Sequence, residues 1–213
     1  MLGKTGIIVP GQKMKKIIDS DYNCYLNTQI RQSAETRKYP EYQRRCKDAV
    51  LECSKLWRPN SKVLEIGCGD GFSLDWLRKL KFDCYGVDIN PEKIETARQH
   101  GHNNVYCIDA IDLPFEDNSF DVVYSRHTLE HILKPEPMLQ EIHRVLNSLG
   151  RFSLIVPIVL PGRVNFNKKH VIAVSNKEYV AELLEAYNFV VDRNEEKDMP
   201  GGREVWTLAF VDK

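Results

Sequence analysis

The chain has 213 residues, enough for one domain with a modest extension at the usual ~100–200 residues per domain. Its 42% hydrophobic and 28% charged residues are the composition of a globular protein that can bury a full core. The longest apolar run, Leu154–Leu160, contains Pro157 and is far shorter than the ~20 residues that span a bilayer, and no secretory h-region opens the sequence. Cys24, Cys46, Cys53, Cys68, Cys84 and Cys107 form no CxxC pair and no even framework, so reduced thiols and a cytoplasmic location are expected.

The net charge of zero conceals an asymmetry. Residues 1–62 hold 13 Lys and Arg against 6 Asp and Glu, whereas residues 63–150 hold 8 against 15. Either the first piece binds an anion or the two pieces pack on each other.

Residues 1–12 read as an irregular leader, punctuated by Gly3, Gly6, Pro10 and Gly11. Residues 13–57 are helical in character with a break at Tyr39-Pro40, and Tyr42, Cys46, Ala49, Val50, Cys53 and Leu56 fall at helical spacing. Strands are then expected at Val63–Ile66, Cys84–Val87, Val105–Ile108, Phe120–Tyr124 and Arg151–Val156. Helices are expected at Phe72–Leu80, Pro91–His100 (capped by Asn90), Pro135–Leu146 and Lys177–Tyr187. Phe189–Asp192 and Val205–Val211 read as two last strands. The stretch between them, Arg193–Arg203, has no room for a crossover helix, so that pair should be antiparallel. Strands alternating with helices give an α/β, doubly wound, mostly parallel sheet, with ligands at the carboxyl ends of its strands.

Val63-Leu64-Glu65-Ile66-Gly67-Cys68-Gly69-Asp70-Gly71 runs a strand through a glycine loop into a helix. A dinucleotide fingerprint would need glycine where Phe72 stands, and the flanking Glu65 and Asp70 repel a pyrophosphate while tolerating an ammonium or sulfonium group. Asp88 ends the next strand about 20 residues on, where a carboxylate can accept both ribose hydroxyls of a nucleoside. Asp109 follows the third strand and can accept from an adenine amino group.

The segments LEIGCGDG, GVDINPEKIETAR, DAIDLPFEDNSFDVVYSRHTLEHI and EIHRVLNSLGRFSLIVP, in this order, resemble the class I S-adenosylmethionine-dependent methyltransferases, in the small-molecule branch. The resemblance covers about residues 60–213. It implies a Rossmann-like, seven-stranded sheet with the last strand antiparallel, and S-adenosylmethionine as donor. By position, Glu65, Gly67 and Gly69 would line the methionine end, Asp88 and Ile89 the ribose, Asp109 and Ala110 the adenine, and Ser125 and Arg126 the methyl donor. The family often has Pro-Gly-Gly before the fifth strand, where this chain has Ser148-Leu149-Gly150.

The boundaries expected are an N-terminal helical extension or lid over 1–58 and a donor-binding domain over 59–213. The function expected is methyl transfer to a small metabolite, with anionic ones among the candidates. Other readings are a nucleic-acid or protein methyltransferase working through the basic N-terminal helices, and an inert donor-binding module. His127-Thr-Leu-Glu130-His131 also spells the H-x-x-E-H of some zinc proteases, but it follows a strand and stops at Lys134-Pro135, so no metal is expected. His127 and His170 are the candidate general bases. The acceptor pocket should draw on Tyr22, Tyr25, Tyr39 and Tyr42 and on the insert 157–175 with Arg163, Lys168, Lys169 and His170. His100, His102 and His143 are expected at the surface.

Overall fold

A computed structural model describes residues 36–132, 135–158, 172–200 and 202–213. Seven strands form one sheet in the order β3-β2-β1-β4-β5-β7-β6. They are β1 (Lys62–Ile66), β2 (Asp83–Asp88), β3 (Val105–Cys107), β4 (Phe120–Arg126), β5 (Leu146–Pro157), β6 (Phe189–Met199) and β7 (Gly202–Val211). Pairs from β3 through β5 are parallel, while β7 runs antiparallel to both β5 and β6. The expected doubly wound sheet with an antiparallel last strand is therefore present. No helix among the described residues is long and apolar enough to cross a membrane.

Alternation along β1 sends Val63 to one face and Leu64 and Ile66 to the other, which divides the core in two. On the first face lie α1 (Pro40–Cys53), α2 (Phe72–Lys79) and α3 (Pro91–Gln99), through Ala49, Val50, Leu74, Leu77, Ile94 and Ala97. On the second lie α4 (Pro135–Val145) and α5 (Lys177–Glu185), through Met138, Leu139, Ile142, Val180 and Leu184. Pro40 starts α1, and the Asn90 side chain accepts from the Glu92 and Lys93 amides at the start of α3. The α1 helix joins the first of these cores through Ala49, Val50 and Cys53, and Trp57 just beyond it donates to Ser153 Oγ at 2.8 Å in β5.

Three expectations change. The Arg193–Arg203 stretch is mostly strand, because β6 and β7 extend into a long hairpin that pairs Asn194 with Thr207 and Asp198 with Arg203. As β6 is the sheet's edge, its charged side chains face water and give no apolar signal. Next, β5 begins immediately after α4. Phe120 pairs with Leu146 and Val122 with Arg151, so residues 147–150 bulge out of the register. Leu149 occupies this bulge at φ +59°, a left-handed conformation that costs a leucine about 1–2 kcal/mol. Finally, His102 is buried rather than at the surface, with Nε2 2.9 Å from Asp75 Oδ1 on α2.

The charge asymmetry is also resolved in part. Arg37 from the basic segment bonds Asp75 Oδ2 through Nη1 at 2.9 Å, and its amide donates to Asp70 Oδ2 at 3.2 Å. The beginning of the described chain is thereby fastened to the acidic glycine loop. Arg44 pairs with Glu41, and Lys47 lies 4.7 Å over the Trp76 ring.

Candidate active site

The glycine loop connects β1 to α2 with Gly67, Gly69 and Gly71 all at positive φ. The three serve different purposes. A Cβ on Gly67 would lie 2.0 Å from Thr128 Oγ1, so this glycine makes room for the turn after β4. A Cβ on Gly71 would meet the buried His102 ring at 2.7 Å. At Gly69 the nearest atom to a Cβ is Lys93 Cδ at 3.9 Å, leaving space open above the loop. Gly69 is thus the point at which a ligand can approach the backbone.

Asp88, at the end of β2, closes the other side of this space. Its Oδ2 accepts from the Gly69 amide at 2.9 Å and its Oδ1 from the Asn90 amide at 2.8 Å. One carboxylate ties the two loops together, and each oxygen retains a lone pair. Ile89 follows it, and Ile89 O accepts a long contact from Cys107 Sγ at 3.6 Å. Beyond β3, Asp109 Oδ1 accepts from the Ile111 amide at 3.3 Å, and Ala110 is buried beside it.

Glu65 lies on β1 beneath the loop and is buried, with no hydrogen-bond partner for Oε2. Burial pushes its carboxyl up to about 8, against a hydrogen bond from Ser73 that favours ionisation. An acid in this position is ready to ionise when a cation arrives. Ser125, next to the end of β4, is fully buried with its Oγ likewise unpartnered.

His127 stands just past β4 at φ +52°, a conformation uncommon for histidine. Its amide donates to Ile155 O at 2.9 Å, and its Nε2 lies 2.8 Å from Glu204 Oε1 on β7. Burial holds the imidazole below its ordinary value, although the Glu204 carboxylate opposes this. Glu204 is buried too, yet its hydrogen bonds and the charges around it hold its carboxyl down at about 2. The consistent state is a neutral imidazole donating Nε2–H to a carboxylate, which leaves a lone pair on Nδ1. Arg45 Nη2 donates to the same Oε1 at 2.6 Å, and Trp206 Nε1 to Oε2 at 3.0 Å.

The structure brings Glu65, Gly67, Gly69, Asp88, Ile89, Asp109, Ala110, Ser125, Arg126 and His127 to the carboxyl ends of β1 to β4. His170, the other candidate base, lies outside the described residues, as do Tyr22, Tyr25, Arg163, Lys168 and Lys169. Tyr39 is 61% exposed, whereas the Tyr42 ring lies 5.1 Å from the guanidinium carbon of Arg126. Sequence reasoning missed Thr128, Arg45 and Glu204. No motif marks Glu204, which comes to the site only through the pairing of β7 with β5.

The H-x-x-E-H letters do not form the helix-borne pair of a zinc protease. Residues Leu129–His131 make a single 3-10 turn, His127 precedes it, and the Glu130 side chain is buried. Burial pushes the Glu130 carboxyl up to about 8. Among the described residues, no group of three or more His, Cys, Asp and Glu side chains is placed to hold a metal ion.

Comparison with known proteins agrees with this geometry. Residues 64–154 match a methyltransferase domain family. The sterol 4-C-methyltransferase strm-1 of Caenorhabditis elegans is 25% identical over 161 residues, covering 72% of this chain and 46% of the relative. A ubiquinone biosynthesis O-methyltransferase of Xanthomonas oryzae pv. oryzae is 28% identical over 137 residues, covering 62% of this chain and 55% of the relative. The chain thus spans about half the length of these two curated relatives. The solved structure of the PH0226 protein from Pyrococcus horikoshii OT3 superposes with a TM-score of 0.69 at 23% identity, covering 82% of this chain and 92% of that one. Residues 64–154 thus match a methyltransferase domain, and the seven-stranded sheet has the fold of this solved neighbour.

Proposed function

We propose that this protein transfers a methyl group from S-adenosylmethionine to a small metabolite, using the donor site between Gly69 and Asp88. The observation that carries the reading is the Asp88 carboxylate accepting from the Gly69 amide. That contact sets a glycine-lined floor and a ribose-binding acid around one open space. Small-molecule methyltransferases among the relatives support the same substrate class.

The residues present fit the donor. Glu65 offers an unsatisfied buried oxygen for an ammonium group, and Gly69 leaves the loop open to close approach. Asp88, with Ile89, takes the ribose hydroxyls, Asp109 and Ala110 border the adenine, and Gly67 and Ser125 complete the methionine end. When bound, S-adenosylmethionine supplies an electrophilic methyl on a sulfonium and leaves as S-adenosylhomocysteine. The chain's share of the work is alignment, exclusion of water and the handling of one proton. Where the acceptor must lose a proton, the lone pair on His127 Nδ1 takes it while Glu204 holds Nε2–H. The imidazolium then returns that proton to solvent.

Within this reading, residues 1–58 form an extension that carries the α1 wall of the acceptor site, and residues 59–213 form the donor-binding domain. Arg37, Arg44 and Arg45 of the extension pair with carboxylates of the chain, which favours a small acceptor over a nucleic acid. Calorimetry should show S-adenosylhomocysteine binding at least tenfold tighter than NAD. Labelled donor incubated with a metabolite panel should label at least one small molecule. Tighter binding of NAD, or binding of the donor with no transfer to any small molecule, protein or RNA, would overturn the assignment.

A further inference from the structure

Around Arg126 the site holds guanidinium nitrogens that the described residues leave without acceptors. Arg126 projects from the end of β4, with its side chain only 4% exposed. Its Nη1 lies 3.3 Å from Cys46 Sγ and its Nη2 3.7 Å from Glu204 Oε1, too far for a hydrogen bond. Arg126 Nε and Nη2 have no hydrogen-bond partner among the described residues, and neither has Arg45 Nε. Glu204 does not reach these groups with a hydrogen bond. Its Oε1 already receives Arg45 Nη2 and His127 Nε2, and its Oε2 receives Trp206 Nε1.

The charges can be counted group by group. Arg45 and Arg126 are cations, and Glu204, held at about 2, is an anion. Burial favours the neutral imidazole of His127 and the protonated carboxyls of Glu130 and ligand-free Glu65, both raised to about 8. Cys46, raised to about 11, and Tyr42, also raised by burial, stay protonated. Among the described residues, Glu204 is the carboxylate paired with both arginines, and three guanidinium nitrogens (Arg126 Nε and Nη2, Arg45 Nε) lack acceptors. A buried charge and orphaned donors of this kind are costly unless a ligand completes them.

We propose that Arg126 and Arg45, flanked by Tyr42, form a recognition subsite for a carboxylate borne by the methyl acceptor. The proposal rests on the methyltransferase reading above and narrows its substrate to an acid. The two guanidinium groups share one carboxylate partner among the described residues, so a second carboxylate completes the pair. Planar guanidinium N–H groups also match a carboxylate's two oxygens. The unpartnered nitrogens are buried, and the neighbouring Arg45 and His127 side chains keep 20% and 18% of their surface exposed. The subsite adjoins His127, so an acid anchored here holds its nucleophilic atom near the candidate base.

The test uses the full-length protein saturated with S-adenosylhomocysteine, titrated at constant ionic strength. The probes are acetate and benzoate, their neutral amides acetamide and benzamide, and inorganic phosphate. Saturable binding of at least one carboxylate is expected, with its amide at least tenfold weaker. Arg126→Gln and Arg45→Gln should each weaken the carboxylate at least tenfold, and Arg126→Lys, which keeps the charge, should retain part of it. Equal binding of acid and amide, tighter binding of phosphate, or no carboxylate binding would overturn the proposal.

A second arm separates the donor's own carboxylate from the acceptor's. S-adenosylhomocysteine and 5′-methylthioadenosine, which lacks the amino-acid group, are compared in wild type and Arg126→Lys. An unchanged ratio of the two affinities is expected. Selective loss of S-adenosylhomocysteine would assign the guanidinium to the donor and overturn the subsite. Failure of the wild type to bind S-adenosylhomocysteine would instead overturn the methyltransferase reading itself.

Discussion

Nε2 of His127 and Oε1 of Glu204 are 2.8 Å apart, although 77 positions and strand β5 separate the two residues. The contact fixes the imidazole through one nitrogen and leaves the other to exchange a proton. Two arginines steady the carboxylate, so it stays ionised despite burial. Under the proposed reading, Glu204 positions His127 and does not itself meet the acceptor.

Glu204→Gln tests this relationship. Removing the carboxylate takes away the one influence that favours imidazolium, so the His127 pKa should fall further below 6.5. Nuclear magnetic resonance titration of the imidazole reads that shift directly. Turnover should fall by roughly 10–100-fold with little change in donor affinity, in line with general-base contributions of about 10²–10⁴. The variant also leaves two buried guanidinium groups uncompensated, so stability should drop by about 3 kcal/mol. An unchanged His127 titration would exclude the positioning role.

The sequence shows the donor half of this site more clearly than the acceptor half, and the reason is locality. Glu65, Gly69 and Asp88 sit at fixed offsets in one β-α-β unit, so their spacing alone brings them together. Glu204 and Arg45 meet only because β7 inserts between β5 and β6 and α1 packs on one face of the sheet, which no local pattern encodes. His102 misled for the same reason, since its burial comes from Gly71 and Asp75 about 30 residues earlier. The charged stretch Arg193–Asp198 hid a strand because an edge strand does not have to bury its side chains.

The contrast between two glycines separates fold from binding. Gly67→Ala drives a Cβ to 2.0 Å from Thr128 Oγ1, and at φ +75° the backbone is strained as well. We expect a loss of at least 3 kcal/mol in chemical denaturation, partly recovered in combination with Thr128→Ala. Gly69→Ala meets nothing closer than 3.9 Å and should cost only the ~1–2 kcal/mol of a left-handed alanine. Its effect should instead fall on S-adenosylhomocysteine affinity, measured by calorimetry. Equal stability losses in the two variants would contradict this division.

Leu149 offers a stability gain remote from the site. It is exposed and sits at φ +59° in the bulge before Arg151, where the family often has glycine. Leu149→Gly should remove the strain and stabilise the protein by about 0.5–1 kcal/mol, after the extra freedom of the unfolded glycine is subtracted. An increase in denaturation midpoint with unchanged donor binding is the expected result.

Asp88 should dominate donor affinity. Hydrogen bonds to charged groups contribute about 1.5–3 kcal/mol each. Asp88→Ala should weaken S-adenosylhomocysteine by roughly 10–150-fold, and Asp88→Asn by less, because the amide oxygen can still receive the Gly69 amide. Unchanged affinity in Asp88→Ala would remove this residue from the ribose site.

Glu65 links donor binding to protons. Its carboxyl is raised from 4.5 to about 8 in the folded protein, so it is protonated at pH 7, while in the unfolded chain it is ionised. Below pH 4.5 the two states carry the same proton and stability is unaffected. As pH rises from 4.5 toward 8 the unfolded chain alone loses its proton, and ligand-free stability falls. Glu130 acts in the same direction, while Glu204, lowered to about 2, withdraws stability only as pH drops below 4.5. The lowered His127 opposes both acids below pH 6.5, where only the unfolded chain gains its proton, so the decline from Glu65 and Glu130 should be clearest between pH 6.5 and 8. A donor ammonium beside Glu65 reverses its preference, so binding at pH 7 should release close to one proton. Calorimetry in buffers of different ionisation enthalpy counts that proton. Glu65→Gln should abolish the release and flatten the alkaline decline in stability. Proton release equal in wild type and Glu65→Gln would show that another group carries the linkage.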